Sequence, residues 1–285
     1  MSMCPSCQHP AIKRDGYDTI GRQRYHCRPC HRDFTAHSVS AFSGYRWPPD
    51  VILMAVRWYC SLPLSAAQVV RLLAERNIDI SARTVLNWVQ TFGPQLAAAL
   101  RKHRRRVGWR WTVDEVFCFR GKRKLYLYRA GDEHGQVIDV LLRDKRDGTS
   151  AEAFFRQALA RTDVTPNTVI TDHHQPYVKA VAASLPFARH VRTGLHRQRG
   201  YTTQPVERSH VPTRDRLRGT RGLRAVPTGQ KFLESFEALH ALRRGRVKLR
   251  LLVPTYRPTQ ASEHEKVRTV IAALAVLGTQ LRKAA

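Results

Sequence analysis

Three acidic side chains stand where folding alone gives little reason for a carboxylate. Asp114 lies within Trp111-Thr112-Val113-Asp114-Glu115-Val116, in the middle of a predicted strand. Asp is a poor strand former and weakens a sheet unless it binds a cation or caps a neighbour. Asp172 ends the short apolar strand Val169-Ile170-Thr171, and in open α/β sheets sites gather at the carboxyl ends of strands. Glu207 begins a predicted helix after the turn Thr203-Gln204-Pro205. Taken singly, each has a plain structural reading: Asp114 as a hydrogen-bonder, Glu207 as an N-terminal charge that suits the helix dipole. Taken together, on a central strand, an adjacent strand end and a facing helix, the three can hold two Mg²⁺ ions about 4 Å apart. Mg²⁺ suits hard oxygen ligands, and Mn²⁺ can take its place. One metal then activates an attacking oxygen and the other stabilises the leaving oxygen of a phosphodiester.

A second set of residues points to a different metal. Cys4-x-x-Cys7 and Cys27-x-x-Cys30 are separated by nineteen residues, and four thiolates complete a tetrahedral Zn²⁺ shell with no open position. The expected zinc is therefore structural, and about thirty residues need its binding energy to fold. Redox or fortuitous thiols are the alternative. His9, His26, His31 and His37 lie nearby, but four cysteines already fill the shell. Arg22, Arg24, Arg28 and Arg32 make the module basic, which suits either DNA contact or a solvated surface.

Those residues require a scaffold. From about residue 47 to 105 the periodicity predicts three helices. Trp47-Pro48-Pro49 opens the first, Ser65 caps the second and Ser81 caps the third, with Asn77-Ile78-Asp79-Ile80 as the turn between the last two. Gly93-Pro94 is expected to interrupt the third helix. This is the sequence form of a helix-turn-helix, whose last helix enters the major groove. Its exposed candidates are Arg83, Thr84, Asn87 and Gln90, since Arg can pair with guanine and Asn or Gln with adenine. A plain three-helix bundle is the alternative. Residues 101–106, Arg-Lys-His-Arg-Arg-Arg, read equally as a solvated hinge or a phosphate contact.

Beyond this linker the pattern changes to strands at 109–119, 124–130 and 136–142, a helix at about 150–160, a strand at 169–172, a helix at 175–183 and a strand at 188–192. Helices resume at about 207–217, carrying a basic face of Arg208, Arg214, Arg216, Arg218, Arg221 and Arg224, and at 229–243. Three antiparallel strands followed by alternating helix and strand predict an α/β fold, an RNase H-like mixed sheet with flanking helices. A last amphipathic helix is expected within 262–282, with no evident partner.

Composition narrows the function. Lys and Arg number 49 against 22 Asp and Glu, a formal charge of +27. Such a surface repels itself unless it meets a polyanion, and nucleic acid comes first. No apolar run reaches the roughly 18 residues of a spanning helix, and no signal-peptide core follows Met1. A cytoplasmic DNA-acting protein with no membrane partner is expected.

The sequence resembles the DDE transposases of the insertion-sequence-six family from about Leu64 to Gly245. The resemblance is carried by Val113-Asp114-Glu115, Tyr126-Leu127-Tyr128-Arg129-Ala130, Lys145-Arg146-Asp147, Thr171-Asp172-His173-His174-Gln175-Pro176-Tyr177 and Val206-Glu207-Arg208-Ser209-His210. Thirty-four residues separate Asp172 from Glu207, and seven residues beyond the Glu stands Arg214. The resemblance implies that Asp114, Asp172 and Glu207 form the catalytic triad and that Arg214, with Arg208, contacts the DNA end. It also implies binding of terminal inverted repeats, 3′-end cleavage and strand transfer into target DNA by a homo-oligomer. His173-His174 departs from the basic residue usual after the second Asp. The layout expected is a zinc-binding module over 1–40, a helix-turn-helix over 45–105, an RNase H-like core over 106–248 and a C-terminal extension over 249–285. The rival readings are a non-catalytic zinc-ribbon and helix-turn-helix regulator derived from a transposase, and another RNase H-like nuclease.

Overall fold

The computed structural model describes residues 3, 4, 6–19, 21–35, 40–193, 201–218, 220, 222–256 and 262–281. His37 and Arg221 lie outside them.

The N-terminal segment forms a three-stranded antiparallel sheet of β1 (Ile12–Tyr17), β2 (Gln23–Cys27) and β3 (Asp33–Thr35), in that order. Among the described residues, its buried apolar cluster is Cys4, Cys27 and Phe34. So small a core cannot offset the entropy of ordering the segment, and the fold here needs another source of free energy.

Three helices follow: α1 (Pro49–Ser61), α2 (Ala66–Ala74) and α3 (Ala82–Lys102). Ser65 closes a reciprocal capping box with Gln68, and Ser81 accepts from the Thr84 amide, so both predicted caps stand where the sequence put them. Between them Asn77 takes the left-handed conformation (φ 57°) that Asn tolerates better than most residues. The predicted break at Gly93-Pro94 does not occur, because α3 runs unbroken through both residues. Gly93 lies under Ser235 of α8 (Val226–Arg243) so closely that an added Cβ would sit 2.3 Å from its Oγ. This crossing with α8 supplies the packing that offsets the hydrogen bond lost at Pro94.

The central sheet has five strands in the order β6 (Val137–Arg143), β5 (Arg123–Asp132), β4 (Arg110–Arg120), β7 (Thr168–Thr171), β8 (Arg189–Arg192). The first three are antiparallel, while β4–β7 and β7–β8 are parallel. This is the RNase H-like mixed sheet. Helices α4 (Gly148–Thr162) and α5 (Pro176–Ser184) cover one face through Phe154, Phe155 and Tyr177 against Trp111, Val113 and Tyr128. The other face presents Val116, Leu127 and Leu142 to Phe232 and Leu233 of α8, in an apolar cluster that continues into α1, α2 and α3. The upstream helices and the sheet thus share one core.

Two details depart from the sequence reading. The helix predicted over 207–217 begins earlier and is divided into α6 (Gln204–Ser209) and α7 (Val211–Arg218). Arg216, assigned to the basic face, is instead 2% exposed. Its Nε donates to the Tyr59 carbonyl, and its guanidinium lies 4.6 Å from the Tyr59 ring centre and 5.0 Å from that of Phe232. A cation over two aromatic faces gains more where water is excluded. The final helix, α9 (Glu263–Gln280), finds its partner: it packs on α1, with Gly278 against Leu53 and Phe42, and the Leu281 carbonyl accepts from the Ala41 amide.

Candidate active site

Register explains how two distant acids meet. Thr112 of β4 pairs in parallel with Ile170 of β7, so Asp114, two residues farther along β4, and Asp172, just past the end of β7, stand side by side. Carboxylate oxygens of Asp114, Glu115 and Asp172 all come within 4.8 Å of one another. The third member of this group is Glu115, adjacent to Asp114 but pointing to the opposite face of β4. The sequence reading named the Val113-Asp114-Glu115 motif without giving Glu115 a role. Its alternation with Val113 and Phe117 was the signal that it shares the face with Tyr128 and Tyr177.

Glu207 reaches the same neighbourhood from α6, which lies against β4 and β5. It is half-buried, and its Oε1 accepts from the Thr203 hydroxyl at 3.0 Å. Glu207 is outside the 4.8 Å group, yet its charge acts on Asp114. Burial, reinforced by the carboxylates of Glu115, Asp172 and Glu207 and opposed by the Glu115 amide, pushes the Asp114 carboxyl up to about 7. Three or four carboxylates around one point repel, and a cation among them relieves that repulsion.

Other side chains frame this cluster. Arg146 donates to both oxygens of Glu115 at 3.1 Å and to Asp172 Oδ2 at 2.9 Å. The His174 amide donates to Asp172 Oδ1 at 2.9 Å, which sets that carboxylate from its own loop; neither His173 nor His174 joins the oxygen group. His210, between α6 and α7, is fully buried with Nδ1 3.7 Å from Asp114 Oδ2. Burial, with the charges of Arg129 and Arg214, brings its pKa down to about 3, so the imidazole beside Asp114 is neutral.

The position of α6 is fixed from below by a buried ion pair. Asp114 opposes Arg129 across β4 and β5, so both side chains leave the sheet on the face that α6 and α8 cover. Arg129 makes a two-pronged pair with Glu237 of α8 at 3.0 and 3.1 Å and also donates to the Ser209 hydroxyl of α6. The Thr213 hydroxyl of α7 donates to the same Glu237 at 3.1 Å. One guanidinium thereby ties β5, α6, α7 and α8 together two residues past Glu207.

The cysteines converge as well. Cys4, Cys7, Cys27 and Cys30 form a second group able to hold a metal. Cys4 and Cys30 sulfurs are 3.6 Å apart and Cys7 and Cys27 sulfurs 3.5 Å. These separations exceed a disulfide bond and approach the edge, about 3.8 Å, of a tetrahedron with Zn–S bonds of about 2.3 Å. The Ser6 amide donates to Cys4 Sγ. Arg24 is tied to Asp15 and Asp33, so it is less free for a phosphate than sequence suggested.

Among the predicted DNA-reading residues, Arg83 and Asn87 are exposed on the first turns of α3 and Thr84 is half-buried beside them. Thr84 and Asn87 line a wide, open depression of about 760 Å³ together with Tyr45, Arg46 and Trp47. Gln90 lines the same depression, and its amide donates to the Thr228 carbonyl of α8. Arg208 and Arg214 are both exposed. In the linker, Arg104 donates to the Ile138 carbonyl at 2.6 Å, so this residue is a structural tether, while Arg105 and Arg106 are exposed. No described helix is long and apolar enough to cross a membrane.

A family model described as a DDE domain matches residues 108–246. The transposase for the insertion sequence-like element IS431mec of Staphylococcus aureus (strain N315) is 31% identical over 193 residues, covering 68% of this chain and 84% of that protein. The transposase for insertion sequence element IS257 in transposon Tn4003 of Staphylococcus aureus is 30% identical over the same length. Among solved structures, the HTLV-2 integrase catalytic core domain in complex with magnesium, in its trimeric form, aligns over 56% of this chain and 95% of that one, with 16% identity and a TM-score of 0.35.

Proposed function

Since the chain belongs to the DDE transposases of bacterial insertion sequences, the family of the IS431mec and IS257 enzymes, we propose that it binds the terminal inverted repeats of its element, cleaves their 3′ ends and joins them to target DNA. The observation that carries this reading is the meeting of Asp114 and Asp172 within one group of carboxylate oxygens, with Glu207 close enough to act on Asp114.

Asp114, Asp172 and Glu207 would hold two Mg²⁺ ions, with Mn²⁺ as a substitute. The donor set fits: it is all oxygen, Asp114 and Asp172 already lie within one 4.8 Å group, and the gathered charge is unfavourable without a cation. Bound metal would supply activation of the attacking oxygen and stabilisation of the leaving one. The chain's own residues do the rest. His174 and Thr203 orient the Asp172 and Glu207 carboxylates through their donated hydrogen bonds. Arg208 and Arg214, exposed on α6 and α7 beside the acids, would position the phosphates of the end being cut. Arg83, Thr84 and Asn87 would read base edges from the start of α3, while the zinc held by Cys4, Cys7, Cys27 and Cys30 supports a basic accessory surface. A two-ended reaction calls for a homo-oligomer, acting in the cytoplasm.

The test is Asp114→Asn, Asp172→Asn and Glu207→Gln, assayed for strand transfer and for binding to end DNA. Each is expected to lose strand transfer by at least about 10³-fold while keeping end binding. Wild-type rates in any one would remove that residue from the site. A protein whose wild type binds the ends but never cuts them, with Mg²⁺ or Mn²⁺, is the non-catalytic regulator instead.

A further inference from the structure

Arg146 lies between β6 and α4, and the residue after it, Asp147, caps α4 by accepting from the Ser150 amide at 2.8 Å. Its backbone is therefore held at the site's rim. The planar guanidinium grips Glu115 with two parallel bonds, and the Glu115 side chain is 1% exposed. A two-pronged pair on a buried carboxylate is the firm part of this arrangement. The bond to Asp172 Oδ2 is single, and the Asp172 side chain is 34% exposed. It is the part that can open.

A divalent cation held by Asp114 and Asp172 competes for the Asp172 oxygen that this guanidinium already holds. The guanidinium's one positive charge offsets part of the repulsion among Asp114, Glu115 and Asp172, whose oxygens lie within 4.8 Å. It would also stand beside the incoming metal as a like charge. Glu115, already satisfied by the two-pronged pair, serves as the anchor.

We infer that Arg146 is a positioning residue of the acidic site: anchored on Glu115, it holds Asp172 beside Asp114 in the metal-free protein and gives up Asp172 Oδ2 when a divalent cation enters. This rests on the proposal that Asp114 and Asp172 hold that cation. Arg146 thus trades metal affinity for a metal-free site that does not splay apart.

The experiment uses the full, zinc-loaded chain without DNA, titrated with Mn²⁺ and followed by the paramagnetic resonance of free Mn²⁺. Asp114→Asn with Asp172→Asn is the blank, and thermal unfolding is recorded with and without Mn²⁺. Arg146→Gln is expected to bind Mn²⁺ about tenfold more tightly, as a neighbouring positive charge is removed. It should unfold at a lower temperature without metal and gain more than wild type when Mn²⁺ is added. Arg146→Lys keeps the charge but not the fork, and is expected to fall between them; it carries the test if the Gln variant fails to fold. Unchanged or weaker Mn²⁺ binding in the folded variants overturns the inference. Wild-type protein that binds no more Mn²⁺ than the blank overturns the proposed metal site itself, a result separable from the first.

Discussion

Replacing Arg129 by Met removes one half of the ion pair on which α6, α7 and α8 converge. The Arg129 and Glu237 side chains are 2% and 8% exposed, so water cannot replace the lost partner. Glu237 would keep only the Thr213 hydroxyl. Leaving a buried charge uncompensated in this way costs about 3–5 kcal/mol. For a chain of this size each kcal/mol lowers Tm by about 2–4 °C, so Arg129→Met should unfold about 6–20 °C below wild type. Removing both charges is different. Arg129→Met with Glu237→Leu takes out the desolvation cost together with the attraction, and should recover to within about 2 kcal/mol of wild type. Urea and thermal unfolding followed by circular dichroism measure both. The double variant also loses the tether from β5 to Ser209, two residues past Glu207. It should therefore regain stability without regaining strand transfer. A single variant within about 1 kcal/mol of wild type would refute the reasoning, since it would mean that water reaches and satisfies Glu237 once the guanidinium is gone.

Three further outcomes are expected. Cys4→Ser with Cys27→Ser should abolish a stoichiometry of about one zinc per chain and expose the amides of residues 12–35 to rapid hydrogen exchange, while the sheet amides stay protected; a zinc-free segment that remains protected would defeat the structural-zinc assignment. His210 and His240 are buried, with pKa values brought down to about 3 and about 4 by that burial and, for His210, by Arg129 and Arg214. Both are neutral in the fold, so their share of stability is complete above the ordinary histidine pKa and is lost as pH falls below it, by about 2 kcal/mol each at pH 5. The raised Asp114 carboxyl works in the opposite sense, so unfolding is compared at pH 7 and 5 in Asp114→Asn; an equal loss after His210→Gln with His240→Gln would show that these histidines are not responsible. Gly93→Ala should destabilise by about 1–2 kcal/mol despite the better helix propensity, because its Cβ meets Ser235. Ser235→Gly should restore it, and no recovery would place the strain elsewhere.

Local chemistry wrote much of this protein into its sequence. The Ser65 and Ser81 caps, the alternation that makes β4 a strand and the Cys-x-x-Cys spacing depend on neighbours a few residues away, and all stand where the sequence put them. The cationic excess and the odd placement of Asp114 and Asp172 likewise belong to the sequence alone. Other features depend on contacts that no short window contains. That Gly93-Pro94 continues a helix follows from Ser235, 142 residues away by numbering (235 − 93). That Arg216 is core rather than DNA-facing follows from Tyr59 and Phe232, and that α9 covers α1 follows from a small residue, Gly278, meeting Leu53 and Phe42. The same holds at the site. Sequence separates Glu115 and Arg146 by thirty-one residues, and only the sheet register and the α4 cap bring a fork-shaped cation onto a buried carboxylate. Charge and periodicity specify what a residue prefers; which partner satisfies that preference is decided by tertiary packing, because burial removes the water that would otherwise satisfy it.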